Sequence, residues 1–159
     1  MRDGLVFDSW AVIALFQNEA PAERVKQLLA ESSRLNNAWI SSVNLGEAWY
    51  MLVRKHSVGL ADYAIAELDR IGLERVDIDW PMVMQAASYK SRHKISYADA
   101  FAAALAKQRN AELVTGDREF LGDSVSHDPS ADDGDPPHVC HSLPLRRLGT
   151  SRFATRCVA

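Results

Sequence analysis

Cysteine is scarce in this sequence, which has only Cys140 and Cys157 among its 159 residues. Two cysteines near one terminus exclude a disulfide framework, and their spacing excludes a standard structural zinc site. Such sparing use of cysteine is typical of proteins in a reducing compartment. We therefore expect a cytoplasmic location.

The sequence also lacks a long hydrophobic run and an excess of positive charge. Its apolar stretch near the start, WAVIALF, is far shorter than the roughly 20 residues that a membrane span needs, and MRDGLVFD does not have the pattern of a signal peptide. We therefore expect no association with a membrane. The net charge of −3 excludes a generally basic coat for nucleic acid but permits a local basic rim around an acidic centre.

Several catalytic motifs are missing as well. The chain has no GxxxxGK[ST] sequence for binding nucleotide phosphates and no GxSxG sequence for acyl transfer. A phosphatase with an aspartyl nucleophile would need D-x-D after the first strand, whereas Asp8 is followed by Ser9 and Trp10. These absences leave chemistry that needs no covalent nucleophile.

Alternating apolar strands and amphipathic helices are the main pattern that is present. Strands are predicted at 4–8, 38–41, 74–79 and 111–117, and helices at 9–16, 21–33, 42–55, 60–71, 81–93 and 97–109. Strands separated by helices favour an α/β fold with a parallel sheet covered on both faces. Ligands of such sheets bind at the carboxyl ends of the strands, where the strand order reverses.

The C-terminal segment differs in composition from the rest of the chain. Residues 123–159 contain no Trp, Tyr, Ile or Met but hold four of the six prolines. We therefore predict a domain at 1–122 and an irregular or disordered tail at 123–159. The tail includes four possible metal ligands, but their spacing matches no standard zinc pattern, so a polar tail is the favoured interpretation. They are His127, His138, Cys140 and His141.

Four carboxylates stand at the ends or beginnings of predicted elements: Asp8, Glu47, Asp99 and Asp117. Each has a structural explanation. Asp8 and Asp117 could cap the following segment, and Asp99 could complete a capping box with Ser96. Glu47 could be a solvated helix residue.

Glu47 and Asp99 have no cation close to them in the sequence, which argues against a purely structural role for these two acids. A solvated helix acid usually has a cation three or four residues away, as Glu67 has Arg70. Glu47 and Asp99 have none at these offsets. Asp62 also has none, but it lies in the first turn of a helix, where the dipole favours acids.

If the first and fourth strands are neighbours, position brings the four acids together at one edge of the predicted sheet. Asp8 and Asp117 end apolar strands, while Glu47 and Asp99 lie in the first turns of helices that leave the same edge. Converging carboxylates repel one another, and a hard divalent cation such as Mg²⁺ or Mn²⁺ relieves the repulsion. Such a site suits metal-assisted cleavage of a phosphodiester bond.

These segments resemble the PIN-domain ribonucleases, specifically the VapC-type toxins of toxin–antitoxin pairs. The resemblance covers residues 4–122 and rests on four blocks: VFDSWAVIALF, SSVNLGEAWYML, SYADAFAAALA and LVTGDREF. It implies a three-layer α/β/α sandwich with a parallel sheet of four to five strands. It also implies a Mg²⁺ or Mn²⁺ site, endonuclease action on RNA, a homodimer and inhibition by a cognate antitoxin.

The resemblance assigns a role to each acid and to two hydroxyls. Metal ligation falls to Asp8, Asp99 and Asp117, and Glu47 would hold or activate a water molecule. The hydroxyls of Ser9 and Thr115 would orient the carboxylates.

Aromatic and basic residues near these blocks have open roles. Three aromatic residues are expected in the core or a dimer contact rather than stacking on bases: Trp10, Trp49 and Tyr50. Four basic residues are equally consistent with a track for phosphates and with a solvated surface: Arg54, Lys55, Arg92 and Lys94.

The chain departs from the family after the last block, where VSHDPSADDG replaces the usual short apolar strand. The fifth strand is therefore expected to be absent, displaced or altered. Two alternative functions stay open, a catalytically inactive PIN-like binding module and a nuclease that acts on DNA. The sequence does not identify the RNA target or the antitoxin.

Overall fold

The computed structural model describes residues 4–116 and 155–157, and it confirms the predicted alternation of strands and helices. One sheet contains the strands β1 Leu5–Phe7, β2 Ala38–Ser41, β3 Glu74–Val76, β4 Glu112–Thr115 and β5 Thr155–Cys157. The helices of the described residues are α1 Ser9–Phe16, α2 Ala22–Ser33, α3 Ser42–Lys55, α4 Val58–Ile71, α5 Trp80–Arg92 and α6 Tyr97–Gln108. None of these helices is long and apolar enough to cross a membrane.

The sheet has the strand order β3-β2-β1-β4-β5. Strand β1 runs parallel to both β2 and β4, with Phe7 opposite Val114, and β5 runs antiparallel to β4. The chain builds the sheet outward from β1 to β3 and then returns to the other side of β1. This reversal opens a crevice between the carboxyl ends of β1 and β4, which is the expected place for a ligand.

Two hydrophobic cores lie on opposite faces of the sheet, because successive strand residues point to opposite sides. Val6 and Leu113 join the core beneath α5 and α6. Phe7 and Val114 join the core formed with α1, α2 and α4 on the other face. The three-layer α/β/α arrangement predicted from the sequence is therefore confirmed.

Helix α6 lies close to the sheet because of its small side chains. Ala100, Ala102 and Ala104 are completely buried, and the helix packs against α5, β1, β2 and β4. Close packing of this kind leaves little freedom in the position of the first turn. That turn carries Asp99 to the carboxyl edge of the sheet.

Several element boundaries differ from the prediction by one or more residues, and capping side chains account for two of these differences. Helix α4 begins at Val58 rather than residue 60, since the Ser57 hydroxyl accepts a hydrogen bond from the backbone N–H of Leu60 at 3.2 Å. Strand β3 ends at Val76, because Asp79 instead caps α5 by accepting from the Met82 N–H at 2.9 Å.

The fifth strand lies late in the chain, within the segment 123–159 for which an irregular tail is predicted. Apart from Thr155–Cys157, that segment lies outside the described residues, and so do its three histidines and Cys140. The division of the chain after residue 122 stays a prediction.

Candidate functional site

Asp8 lies directly after β1, where the sheet opens between β1 and β4. Its backbone N–H donates to the Val114 carbonyl at 3.3 Å, which continues the pairing of the two strands by one residue. Its side chain is 1% exposed, and Oδ1 accepts a hydrogen bond from the Ala11 N–H at 2.9 Å. Asp8 therefore caps α1, as its structural explanation required, and is held rigidly at the strand end.

Asp99 also serves as a capping residue. The Ser96 hydroxyl accepts from the Asp99 N–H at 3.0 Å, and Asp99 Oδ2 accepts from the Ser96 N–H at 3.2 Å. These reciprocal bonds form the capping box at the start of α6. Asp99 is 9% exposed and, like Asp8, faces the groove at the carboxyl edge of the sheet.

Glu47 is partly buried and accepts a short hydrogen bond of 2.5 Å from the Ser9 hydroxyl. This bond joins α3 to the beginning of α1. Among the described residues Glu47 has no ion pair, whereas Glu67 is paired with Arg70 at 2.5 Å. That pairing, through its hydrogen bond, holds the pKa of the Glu67 carboxyl below its ordinary value.

Asn44 is a site residue that the sequence did not reveal. It is completely buried, and its Nδ2 donates to the Ser9 hydroxyl at 3.2 Å and to the Ala98 carbonyl at 3.0 Å. Its Oδ1 accepts from the Ser41 hydroxyl. Asn44 therefore connects the three segments that carry Asp8, Glu47 and Asp99. The only sequence signal is its place three residues before Glu47, on the same face of α3.

A groove of about 870 Å³ brings the acids together. Its lining includes Asp8, Ser9, Glu47 and Asp99, which come from three distant parts of the chain. Thr115 is completely buried at the end of β4 and is not part of the lining. Asp117, the fourth predicted acid, lies outside the described residues.

The donor chemistry of the groove fits a hard divalent cation. Carboxylate and hydroxyl oxygens line its acidic end, and none of the described residues in the lining is a histidine or cysteine. Within residues 4–116 and 155–157, no three histidine, cysteine, aspartate or glutamate side chains form a complete ligand cluster. Mg²⁺ needs only one or two carboxylates and completes its shell with water, so Asp8 and Asp99 suit this ion better than zinc.

The aromatic residues divide between the groove and the helix surface. Trp10 lines the groove, and its ring lies against Gly116, where an added Cβ would meet Trp10 Cε2 at 2.0 Å. Trp49 donates from its indole N–H to Asp62 at 2.9 Å. Asp62, which has no cation nearby in the sequence, therefore has a partner from another helix. Tyr50 is 44% exposed.

The four basic residues singled out in the sequence lie on two different surfaces. Arg54 and Lys55 line the groove, at the end of α3. Arg92 instead donates to the Ser88 carbonyl and hydroxyl on α5, and neither it nor Lys94 is part of the groove lining. The structure thus separates two groove-lining cations from two that belong to another surface.

The sequence matches the PIN domain family over residues 5–122, and the chain belongs to this family. No curated protein sequence matches the chain.

Solved structures of similar fold include toxins and toxin–antitoxin complexes. The Mycobacterium tuberculosis toxin VapC20, described as cleaving the sarcin–ricin loop, has 22% identity and a TM-score of 0.59, over 68% of this chain and 85% of that one. A toxin–antitoxin complex from Klebsiella pneumoniae has 21% identity and a TM-score of 0.58, over 76% and 93%. VapBC2 from Rickettsia felis, bound to a promoter DNA fragment, has 19% identity and a TM-score of 0.57, over 74% and 90%.

Proposed function

We propose that this PIN-domain protein is a metal-dependent endoribonuclease and the toxin of a toxin–antitoxin pair. One observation carries the proposal: Asp8, Glu47 and Asp99 come from three distant segments and line one groove at the carboxyl edge of the sheet. Local capping explains the bonds of Asp8 and Asp99 but does not require their helices to begin at the same groove. A site for a cation and a phosphodiester accounts for the convergence.

The similar structures support the toxin assignment. VapC20 is described as a toxin that cleaves the sarcin–ricin loop, and two other similar chains were solved in toxin–antitoxin complexes. By likeness to them, we propose RNA as the substrate and an antitoxin as the protein partner of this chain. A homodimer and a cytoplasmic location belong to the same proposal.

The residues have distinct roles in the proposed reaction. Asp8 and Asp99, together with Asp117, would hold Mg²⁺ or Mn²⁺, and Glu47 would position a water molecule and accept its proton. A bound divalent cation supplies Lewis acidity toward the phosphate and charge stabilisation for the leaving oxygen. Ser9, by donating to Glu47, fixes the direction of that carboxylate. Thr115 would support the adjacent acids from the end of β4.

The test is cleavage of a labelled RNA by the purified full chain in Mg²⁺ or in EDTA. The informative variant is Asp8→Asn, since its amide oxygen still accepts from the Ala11 N–H and preserves the cap on α1. Asp69→Asn, on the exposed surface of α4, is the matched control. We expect cleavage by wild type and Asp69→Asn in Mg²⁺, and at least a hundredfold loss, a rough expectation, in Asp8→Asn or EDTA.

Three kinds of result would contradict this function. Cleavage that persists in EDTA, or that is complete in Asp8→Asn, would show that the acids do not support a metal-dependent reaction. Faster cleavage of single-stranded DNA than of RNA of the same sequence would identify a DNA nuclease. Absence of cleavage on any RNA, with the protein folded, would favour an inactive binding module.

A further inference from the structure

Helix α3 presents an ordered series of side chains to the groove. Glu47, Met51 and Arg54 lie at spacings of four and three residues, so they share one face of the helix, and all three line the groove. Glu47 lies at the acidic end, beside Ser9. Arg54 follows Glu47 by two helical turns, or about 10.5 Å along the axis.

The two groove-lining cations have different contacts. Lys55 Nζ donates to the Gln17 side chain, which joins the end of α3 to the end of α1. Arg54 is exposed and, within residues 4–116 and 155–157, its guanidinium has no hydrogen bond or ion pair to another side chain. Arg70, by contrast, is engaged by both oxygens of Glu67. Arg54 therefore has its donors available toward the groove.

The helix dipole is the structural explanation for a cation at this place. Arg54 and Lys55 are in the last turn of α3, where positive charge stabilises the helix through its dipole. That effect depends only on distance from the helix end. It does not account for Arg54 lying on the same face as Glu47 and Met51, toward the groove.

We propose that Arg54 binds a backbone phosphate of the RNA strand, away from the bond that is cut. Arg54 follows Glu47 by two helical turns, so its guanidinium reaches a different phosphate from the one at the acidic end of the groove. The planar guanidinium presents two parallel N–H donors that match two phosphate oxygens. This inference rests on the proposed nuclease function and assigns a substrate contact to the same groove.

The experiment measures binding of a fluorescein-labelled single-stranded RNA by anisotropy, in EDTA and at several KCl concentrations. We compare wild type with Arg54→Ala, Arg54→Lys and Arg34→Ala. Arg34 caps the end of α2, is exposed and does not line the groove, so its removal changes the net charge equally. Thermal melts of all four proteins accompany the titrations.

Loss of one phosphate contact reduces the salt dependence in a known way. For Arg54→Ala we expect the slope of log K against log[KCl] to fall in magnitude by about 0.7, and binding at low salt to weaken by about tenfold. Arg54→Lys retains the charge and should keep the slope, with weaker binding because a single ammonium replaces the paired donors. Arg34→Ala should match wild type.

The outcomes separate this inference from the proposed function. RNA binding by wild type with the same slope in Arg54→Ala, or an equal loss in Arg34→Ala, would overturn the phosphate contact and leave the nuclease proposal intact. A melting temperature of Arg54→Ala far below that of wild type would assign Arg54 to stability of α3 and overturn it too. Absence of RNA binding by folded wild-type protein in EDTA would overturn the phosphate contact, whereas the nuclease proposal is tested separately by cleavage in Mg²⁺.

Discussion

At the scale of single residues, the site depends on polar side chains that are buried together. Asn44 illustrates this, because its amide satisfies Ser9, Ser41 and the Ala98 carbonyl at once. A buried group that loses its partner pays the full cost of desolvation, which exceeds the net gain from one hydrogen bond. Asn44 is therefore a positioning residue whose loss affects all three segments.

We expect Asn44→Ala to lower the free energy of unfolding by about 1–3 kcal/mol, since it leaves a buried carbonyl and hydroxyls without their partner. Chemical denaturation of the full chain measures the change. Gln108→Ala, on the exposed end of α6, should stay within about 0.5 kcal/mol of wild type. Equal stability of Asn44→Ala and Gln108→Ala would show that the hydrogen bonds of Asn44 do not stabilise the fold.

Gly116 gives a second prediction at this scale, through its contact with Trp10. An alanine Cβ there would lie 2.0 Å from the indole ring, so we expect Gly116→Ala to destabilise the protein by about 1–3 kcal/mol. Gly46→Ala is the control: its added Cβ meets nothing within 4 Å, and alanine in the exposed middle of α3 should stabilise by about 0.5–1 kcal/mol.

A double-mutant cycle measures whether Trp10 is the cause of that cost. In a Trp10→Ala background the penalty of Gly116→Ala should largely disappear, because the obstructing ring is gone. An unchanged penalty would place the strain elsewhere around β4.

Single residues also show which parts of the site could not be predicted from the sequence. Asp8 and Asp99 were identified because they stand at element ends, and Glu47 and Asp99 because no cation lies nearby in the sequence. The prediction that Glu47 lies in the first turn of its helix was wrong, since α3 begins at Ser42 and has no acid in its first turn. Asn44 was missed, since two of its partners, Ser9 and Ala98, lie 35 and 54 residues away and only folding brings them together. The same holds for Asp62, whose partner Trp49 lies on a different helix.

At the scale of elements, caps decide where helices begin and also place the acids. Asp8 caps α1 and Asp99 caps α6, so each acid has both a structural bond and a place in the groove. Most element boundaries were predictable because the capping residues and apolar periods are local. The shift of α4 to Val58 arose because Ser57 was not recognised as its cap.

The two roles of Asp99 separate in its variants. In EDTA, we expect Asp99→Asn to melt at or above the temperature of wild type, since it removes one of the carboxylates that line the groove but keeps an oxygen that accepts the Ser96 N–H. Asp99→Ala loses the acceptor and should cost about 1 kcal/mol. A large and equal loss in both variants would mean that the carboxylate acts chiefly in the cap.

At the scale of the whole molecule, the strand order brings the site together. The reversal between β1 and β4 opens the edge where Asp8 leaves the sheet, and α3 and α6 begin at the same edge. Alternating strands and helices predicted this parallel sheet, and the structure shows that β1 and β4 are neighbours, on which the convergence of the acids depends. The antiparallel β5 was not predictable, because its pairing joins Thr155–Cys157 to a strand about 40 residues earlier.

The distribution of charge is also a property of the whole molecule. The chain has a net charge of −3, yet the groove carries Asp8 and Asp99 near its acidic end and two cations at the end of α3, and Glu19 is also part of its lining. This arrangement fits the proposed ligand, a nucleic-acid strand whose phosphates contact both the bound cation and the basic side chains. It explains why overall charge alone was a poor guide to the partner.

The claim that the groove carboxylates hold a divalent cation is tested most directly by calorimetric titration of the full chain with Mn²⁺. We expect saturable binding by wild type and by Asp69→Asn, and loss of that binding in Asp99→Asn, which retains the capping oxygen but not the charge. Absence of binding by the folded wild type, or equal binding by Asp99→Asn, would contradict the claim.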